Sequence, residues 1–215
     1  DTKNVDGVVI IVQRRLLEKI TGYFLKNNCN VFSEKPHSYS LNEYKKNKKN
    51  QKKVWLKGYV RRHDTAIKKF KKNYLIKKNN LGKLNSISYY VSSGNSYLGA
   101  KHFVSPFIKK EFKSPLSKFP RFIKKKNYKL YDVYANTALH SIDLFDFFEM
   151  KFMDILFSQI DDNNFLCNFT TSTKIQKEKI LCQIFLNSSP NQLWDEKMIF
   201  MYEKGQVIIK FNSPL

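Results

Sequence analysis

"VDGVVIIV" (residues 5–12) decides the fold of the N-terminal part. From Val8 to Val12 every residue is aliphatic. A strand with one wet face would alternate apolar and polar residues. An unbroken apolar run of strand length is what a strand buried on both faces of a parallel sheet requires. Parallel neighbours cannot be joined by a tight hairpin, so a crossover must follow. The next residues supply one: Arg15–Lys26 carries Leu16, Leu17, Ile20, Tyr23 and Phe24 at helical spacing. Asn27–Asn30 breaks that helix, and Val31–Ser33 is the next expected strand. Ser40 stands three residues before Glu43, the spacing of a capping box, and opens a second helix whose wet face carries "KKNKKNQKK" (45–53). Val54–Tyr59 is a third strand. The order β-α-β-α-β calls for crossover connections and a parallel sheet.

The pattern changes after Arg61. Thr65–Lys77 is expected to be an amphipathic helix, with Gly82 as its C′ residue. Strand-like segments follow at Ser86–Val91, Met153–Gln159, Phe165–Thr171, Lys179–Asn187, Met198–Glu203 and Gln206–Phe211. The last two flank Lys204-Gly205 as a hairpin. Lys101–Lys126, with Pro106, Pro115 and Pro120, is expected to be a long ordered loop, and Ala135–Phe148 a helix. No internal repeat is visible. The chain is therefore expected to comprise an α/β part, residues 1–60, and a mostly antiparallel α+β part, residues 61–215.

The totals narrow the class. The 215 residues, 42% hydrophobic and 15% aromatic, suffice for one ample or two modest globular domains. No apolar run approaches the ~20 residues of a membrane span. Cys29, Cys167 and Cys182 are widely spaced, without a Cys-x-x-Cys pair. That pattern suits a reducing cytoplasm and argues against a disulfide framework or a zinc site. The net charge of +21 invites a nucleic-acid reading, but only Arg14, Arg15, Arg61, Arg62 and Arg121 are arginines. Base readout favours arginine forks and single-strand binding needs exposed stacking rings. A solvated lysine-rich surface is the better reading, and a polyanion-binding module the weaker one.

Three segments carry chemistry. In "VFSEKPHSYS" (31–40), Lys35 ends the second strand and Pro36 stops its continuation, placing the lysine where open parallel sheets bind ligands. "GYVRRHD" (58–64) ends the third strand with Arg61, Arg62 and Asp64. "NTALHSID" (136–143) sets Asn136, His140 and Asp143 on one helical face. Taken singly, Lys35 reads as a surface lysine paired with Glu34, and His140 as a core histidine.

Taken in order, these segments resemble the glucose–fructose oxidoreductase/inositol dehydrogenase (Gfo/Idh/MocA) family. "VDGVVIIV" is similar to its fourth Rossmann strand and "SEKPHSYSLNEY" to its EKP motif and following helix. "GYVRRHDTAIKKFKKN…LGKLNSI" is similar to its GFMRRYDP helix and glycine turn, and "NTALHSIDLFDFF" to its DTAIHDIDLLRWL segment. The likeness covers most of residues 5–150. It implies the C-terminal part of a Rossmann-like parallel sheet followed by an open, mostly antiparallel sheet domain. It also implies NAD or NADP as cofactor, hydride transfer to or from a sugar, sugar derivative or cyclitol, and a homo-oligomer. By resemblance Gln13, Glu34 and Lys35 border the cofactor. Lys35, His140 and Asn136 form the catalytic set, with His140 as acid or base on the substrate hydroxyl. Val60, Arg61, Thr137 and His140 line the substrate.

The departures from the pattern shape the expectations. Asn136 stands where the family has aspartate, so it orients rather than takes protons. His63 and Thr65 replace an aromatic residue and a proline. "QRRLL" (13–17) replaces the loop after the fourth strand, and Arg14 and Arg15 are expected to face water. No G-x-G-x-x-G occurs, so by resemblance roughly two βαβ units would precede Asp1 and the sheet domain would continue past Leu215. A piece of this extent is expected to bind the cofactor poorly. A non-catalytic relative that binds a sugar-like ligand or a partner is the alternative reading.

Overall fold

The computed structural model describes residues 5–76, 80–92, 119–188 and 194–211. Most of the loop expected at Lys101–Lys126 lies outside them. The chain divides into two compact units: Asp1–Val60 with Lys110–Leu139, and Arg61–Lys109 with His140–Leu215. No helix among the described residues is long and apolar enough to cross a membrane.

The first unit contains β1 (Gly7–Ile10), α1 (Arg14–Lys26), β2 (Asn30–Ser33), α2 (Leu41–Lys49) and β3 (Trp55–Lys57). The strands form one parallel sheet in the order β1-β2-β3, with Val8, Val31 and Trp55 in register. Leu17 and Leu25 of α1 bury against Ile10, Val31 and Trp55, and Tyr44 of α2 packs on the same cluster. Each such aliphatic side chain contributes about 1.5–3 kcal/mol through removal from water. Both helices thus serve one sheet face. The opposite row, Val9, Phe32 and Leu56, leaves Val9 67% and Leu56 55% exposed. This corrects the expectation of a β1 buried on both faces. The capping box is also corrected: Ser40 occupies the N-cap of α2 but makes no side-chain cap bond. Its own N–H donates to Ser38 Oγ at 3.0 Å, and the Ser38 hydroxyl bonds the Glu18 carboxylate.

The second unit follows a 3-10 turn at Val60–His63. Here α3 (Thr65–Phe70) is capped by the Asp64 carboxylate, which accepts from the Ala66 N–H at 2.7 Å. The helix expected as far as Lys77 changes to a π-helical turn over Lys71–Ile76. Six strands follow in chain order: β4 (Leu84–Ser92), β5 (Lys151–Ile160), β6 (Asn164–Ser172), β7 (Ile180–Asn187), β8 (Asp195–Tyr202) and β9 (Gly205–Phe211). They form one sheet, β5-β6-β7-β4-β8-β9, in which β4 and β7 alone run parallel. The expected hairpin is present, Tyr202 pairing with Gly205.

The inner sheet face carries Ile87, Tyr89, Ile184, Met198 and Phe200. Phe70 of α3 lies 3.9 Å from Phe200 between ring centroids, and Phe148 lies 5.7 Å from it. The helix α4 (Tyr128–Phe147) begins seven residues before the expected Ala135.

Gly82, expected as a helix C′ residue, is separated from Ile76 by a stretch that includes residues outside those described. It sits at φ +80° in the turn into β4, and an added Cβ would meet Glu203 Oε2 at 2.5 Å. That carboxylate accepts from the Lys83 N–H at 3.1 Å. Gly82→Ala is expected to cost about 1–2 kcal/mol, read as a lower urea midpoint at unchanged slope.

Candidate active site

In the first unit the carboxyl end of β2 runs out as Ser33-Glu34-Lys35-Pro36. Strand pairing fixes the exit: the Glu34 N–H donates to Ile10 O at 3.2 Å, and the Gly58 N–H to Ser33 O at 2.9 Å. Glu34 is held close by, its carboxylate accepting from the Lys35 N–H at 3.3 Å. An added Cβ on Gly58 would come within 3.2 Å of Glu34 Oε1, so a bare backbone at 58 leaves room for that side chain.

The Lys35 ammonium donates to Asn136 Oδ1 at 2.7 Å and to the Asn136 carbonyl at 3.2 Å. Two acceptors on one residue of α4 fix the direction of a cation that otherwise swings on a four-carbon stem. The sequence separation is 101 residues, yet the two expected site residues are brought together. Thr137 is the next residue on α4 and is half-buried, while Gln13 is exposed at the N-cap of α1. His140 follows Asn136 by one helical turn, the spacing at which side chains share a face.

Arg14 and Arg15 do not face water alone, a further correction. Arg14 pairs with Asp132 at 3.2 Å, and the Arg15 guanidinium sits 4.9 Å from the centroid of the Phe119 ring. Tyr39 donates to the same Asp132 carboxylate. Burial, with that carboxylate beside it, pushes the Tyr39 hydroxyl well above its usual range. These partners anchor the start of α1 and make both arginines structural.

In the second unit Asp143 is not part of an open polar face. Its carboxylate is gripped by the Arg62 guanidinium through Nε at 2.9 Å and through Nη2. Arg61 is likewise engaged: it bonds Glu196 and lies 4.9 Å from the centroid of the Phe211 ring. Glu196 is 3% exposed and also accepts from the Tyr89 hydroxyl. Burial raises the Glu196 pKa, while Tyr89 and Arg61 act against that rise. Val60, before Arg61, is exposed.

Two features escaped the sequence. Glu196 lies in "WDEK", which has no local signal. His37 lies in a quoted motif but carries no periodicity of its own. It is 6% exposed, edge-on to Trp55 at 5.6 Å and Tyr59 at 5.2 Å. Burial, and then the Lys57 charge, lower its pKa to about 4 against an opposing hydrogen bond to the Glu34 backbone carbonyl. It is therefore neutral at pH 7 and supports the strand end as an aromatic wedge. The unfolded imidazole, at 6.5, takes up protons that the folded one refuses until about 4. Stability is therefore full above about 6.5 and is lost as pH falls through that window. His37→Phe is expected to remove about 2–3 kcal/mol of this acid-side loss, measured as the difference in urea unfolding free energy between pH 7 and 4.5.

Among the described residues no group of three or more metal-binding side chains could hold an ion. All three cysteines are free thiols.

No family model matches the sequence, and no curated protein matches it. Solved structures do. A probable dehydrogenase from Thermotoga maritima superposes with a TM-score of 0.68 at 16% identity, covering 97% of this chain and 57% of that one. Myo-inositol 2-dehydrogenase from Lactobacillus plantarum gives 0.65 at 17% identity, covering 97% and 58%. Myo-inositol dehydrogenase from Lactobacillus casei, in complex with NAD(H) and myo-inositol, gives 0.66 at 15% identity, covering 99% and 57%. The likeness shows the fold: the C-terminal part of a Rossmann-like sheet and an open sheet domain. The chain spans less than three-fifths of the length of these structures.

Proposed function

We propose that the protein belongs with the inositol dehydrogenase-like oxidoreductases and serves hydride transfer between NAD or NADP and a hydroxyl-bearing carbon of a cyclitol, sugar or sugar derivative. The observation that carries this is the Lys35–Asn136 pair at the carboxyl end of β2. It is supported by two of the solved structures above, which are inositol dehydrogenases of the same fold.

The residues present fit the nicotinamide end of such a cofactor. Beyond Ile10 the chain continues as exposed Ile11 and Val12, apolar side chains suited to a flat ring, followed by the exposed Gln13. They do not offer Arg14 or Arg15 to a pyrophosphate, since both are engaged elsewhere. When bound, the cofactor supplies the hydride acceptor or donor. Lys35 supplies a fixed positive charge that favours an alkoxide over an alcohol. Asn136 holds that ammonium and is a neutral acceptor, so it orients without taking a proton. His140 is the group assigned to exchange the hydroxyl proton at an imidazole nitrogen. Thr137 and Val60 are assigned to the substrate and Glu34 to the cofactor side.

The test is a full-length assay of nicotinamide reduction at 340 nm against a panel of cyclitols and aldoses. Turnover on any member supports the proposal. Ligand binding with no absorbance change would favour a non-catalytic relative, the reading to which the amide at position 136 gives some weight. A homo-oligomer belongs to the same proposal and is supported by Leu181, Met201 and Ile208, exposed apolar side chains on the outer sheet face.

A further inference from the structure

The first unit also contains a cavity of about 1200 Å³ between α1, α2 and the segment 119–122. That volume exceeds the usual range of a small-molecule site, so a small ligand would fill part of it. Its floor is polar and buried: Glu18 and Asn47 are 8% and 6% exposed. Asn47 Nδ2 donates to the Glu18 carbonyl at 3.2 Å, which fixes the amide. An added Cβ on Gly22 would approach Asn47 Oδ1 to 2.5 Å, so the glycine keeps this floor open.

One wall is aromatic. Tyr39 and Phe119 meet at 5.0 Å, and Phe119 and Tyr131 at 5.9 Å, edge-to-face. The charges are uneven: Lys19, Lys26, Lys46 and Arg121 stand against Glu18 and Glu43. Both carboxylates already have donors, Ser38 for Glu18 and Lys46, at 3.9 Å, for Glu43. The cavity is therefore lined by aromatic side chains and by a surplus of positive charge.

We infer that this cavity binds a small planar aromatic anion, with its ring against Phe119 and Tyr131 and its charge toward Arg121 and Lys46. Edge-to-face contact orients the ring, and charge-assisted hydrogen bonds fix the anionic end. Neither half alone uses both walls. None of these residues belongs to the proposed hydride-transfer set.

Calorimetric titration of the full chain tests this with phenyl phosphate as probe, and inorganic phosphate and benzyl alcohol as its separate halves. Phenyl phosphate is expected to bind about tenfold more tightly than either half, since it alone meets both the ring wall and the cations. Phe119→Leu should weaken phenyl phosphate about fivefold and leave inorganic phosphate unchanged. Arg121→Gln, at an exposed position that leaves folding intact, should weaken both anions about threefold. Lys35→Met should change neither. Equal affinity for phenyl phosphate and inorganic phosphate, or indifference to both cavity variants, would overturn the inference and leave anion binding to the general lysine surface. Loss of phenyl phosphate binding in Lys35→Met would overturn it as well, by moving the ligand to the other site.

Discussion

Lys35→Met in the full-length protein is expected to lower turnover about a thousandfold while leaving the fold intact. Methionine keeps an unbranched apolar stem of similar reach but has no charge and no proton. The hydrogen bonds to Asn136 Oδ1 and to its carbonyl are lost together. The stability cost of a half-buried pair of this kind is about 1 kcal/mol, too little to unfold a domain. A large fall in kcat at near-normal circular dichroism is therefore the signature of the proposed role. Wild-type-like turnover in Lys35→Met would sink the hydride-transfer proposal. Asn136→Asp is the companion variant, because it returns a carboxylate to the position the family motif gives to aspartate. A rise in turnover of about tenfold would mean that the amide limits the proton step, and an unchanged rate that His140 carries it.

The largest stability effect is expected at Glu196. Glu196→Ala removes the shared acceptor of Arg61 and Tyr89 and leaves a buried hydroxyl and a mostly buried guanidinium facing a void. Breaking one side of a buried pair costs about 3–5 kcal/mol. Arg61 is 20% exposed and recovers some hydration, so about 2–4 kcal/mol is the expected loss. Glu196→Gln keeps the shape and an acceptor for Tyr89, and should cost less than half as much. Urea unfolding of the two variants decides the matter. A loss below 1 kcal/mol for Glu196→Ala would mean that water replaces the carboxylate and that the cluster is not a structural tie.

Much of the backbone was legible. The aliphatic run at Val8–Val12, the amphipathic period of Arg15–Lys26 and the turn at Lys204-Gly205 are local signals, and each produced its element. The start of α4 was hidden by lysines and tyrosines at 124–131, which mask its period. With the burial known, Tyr134, Ala138, Ser141 and Phe145 trace one buried face of that helix. Ser38 captures the Ser40 N–H, a rivalry between neighbouring hydroxyls that spacing cannot rank.

Lys35 and Asn136 were legible by motif order, and the structure makes them partners. The ties that engage Arg14 and Arg61 were not, because they join residues 118 and 135 positions apart. A pairing across such distances leaves no trace in one sequence. Asp143 shows the converse: helical spacing placed it beside His140, but only the fold assigns its charge to Arg62.

The first unit is assembled from two stretches, Asp1–Val60 and Lys110–Leu139. A ribosome delivering this chain has released the three parallel strands and both their helices long before it makes Asp132 and Asn136. During that interval Arg14, Tyr39 and Lys35 have none of the α4 partners they hold in the finished fold. Closing so long a loop is slow compared with forming a local helix, and synthesis at about 5–20 residues per second prolongs the wait by several seconds. A gene cut after Val60 would therefore express the three strands and their two helices without the α4 partners of Arg14, Tyr39 and Lys35. A separable domain has to be sought by excising the intervening segment, not by truncation.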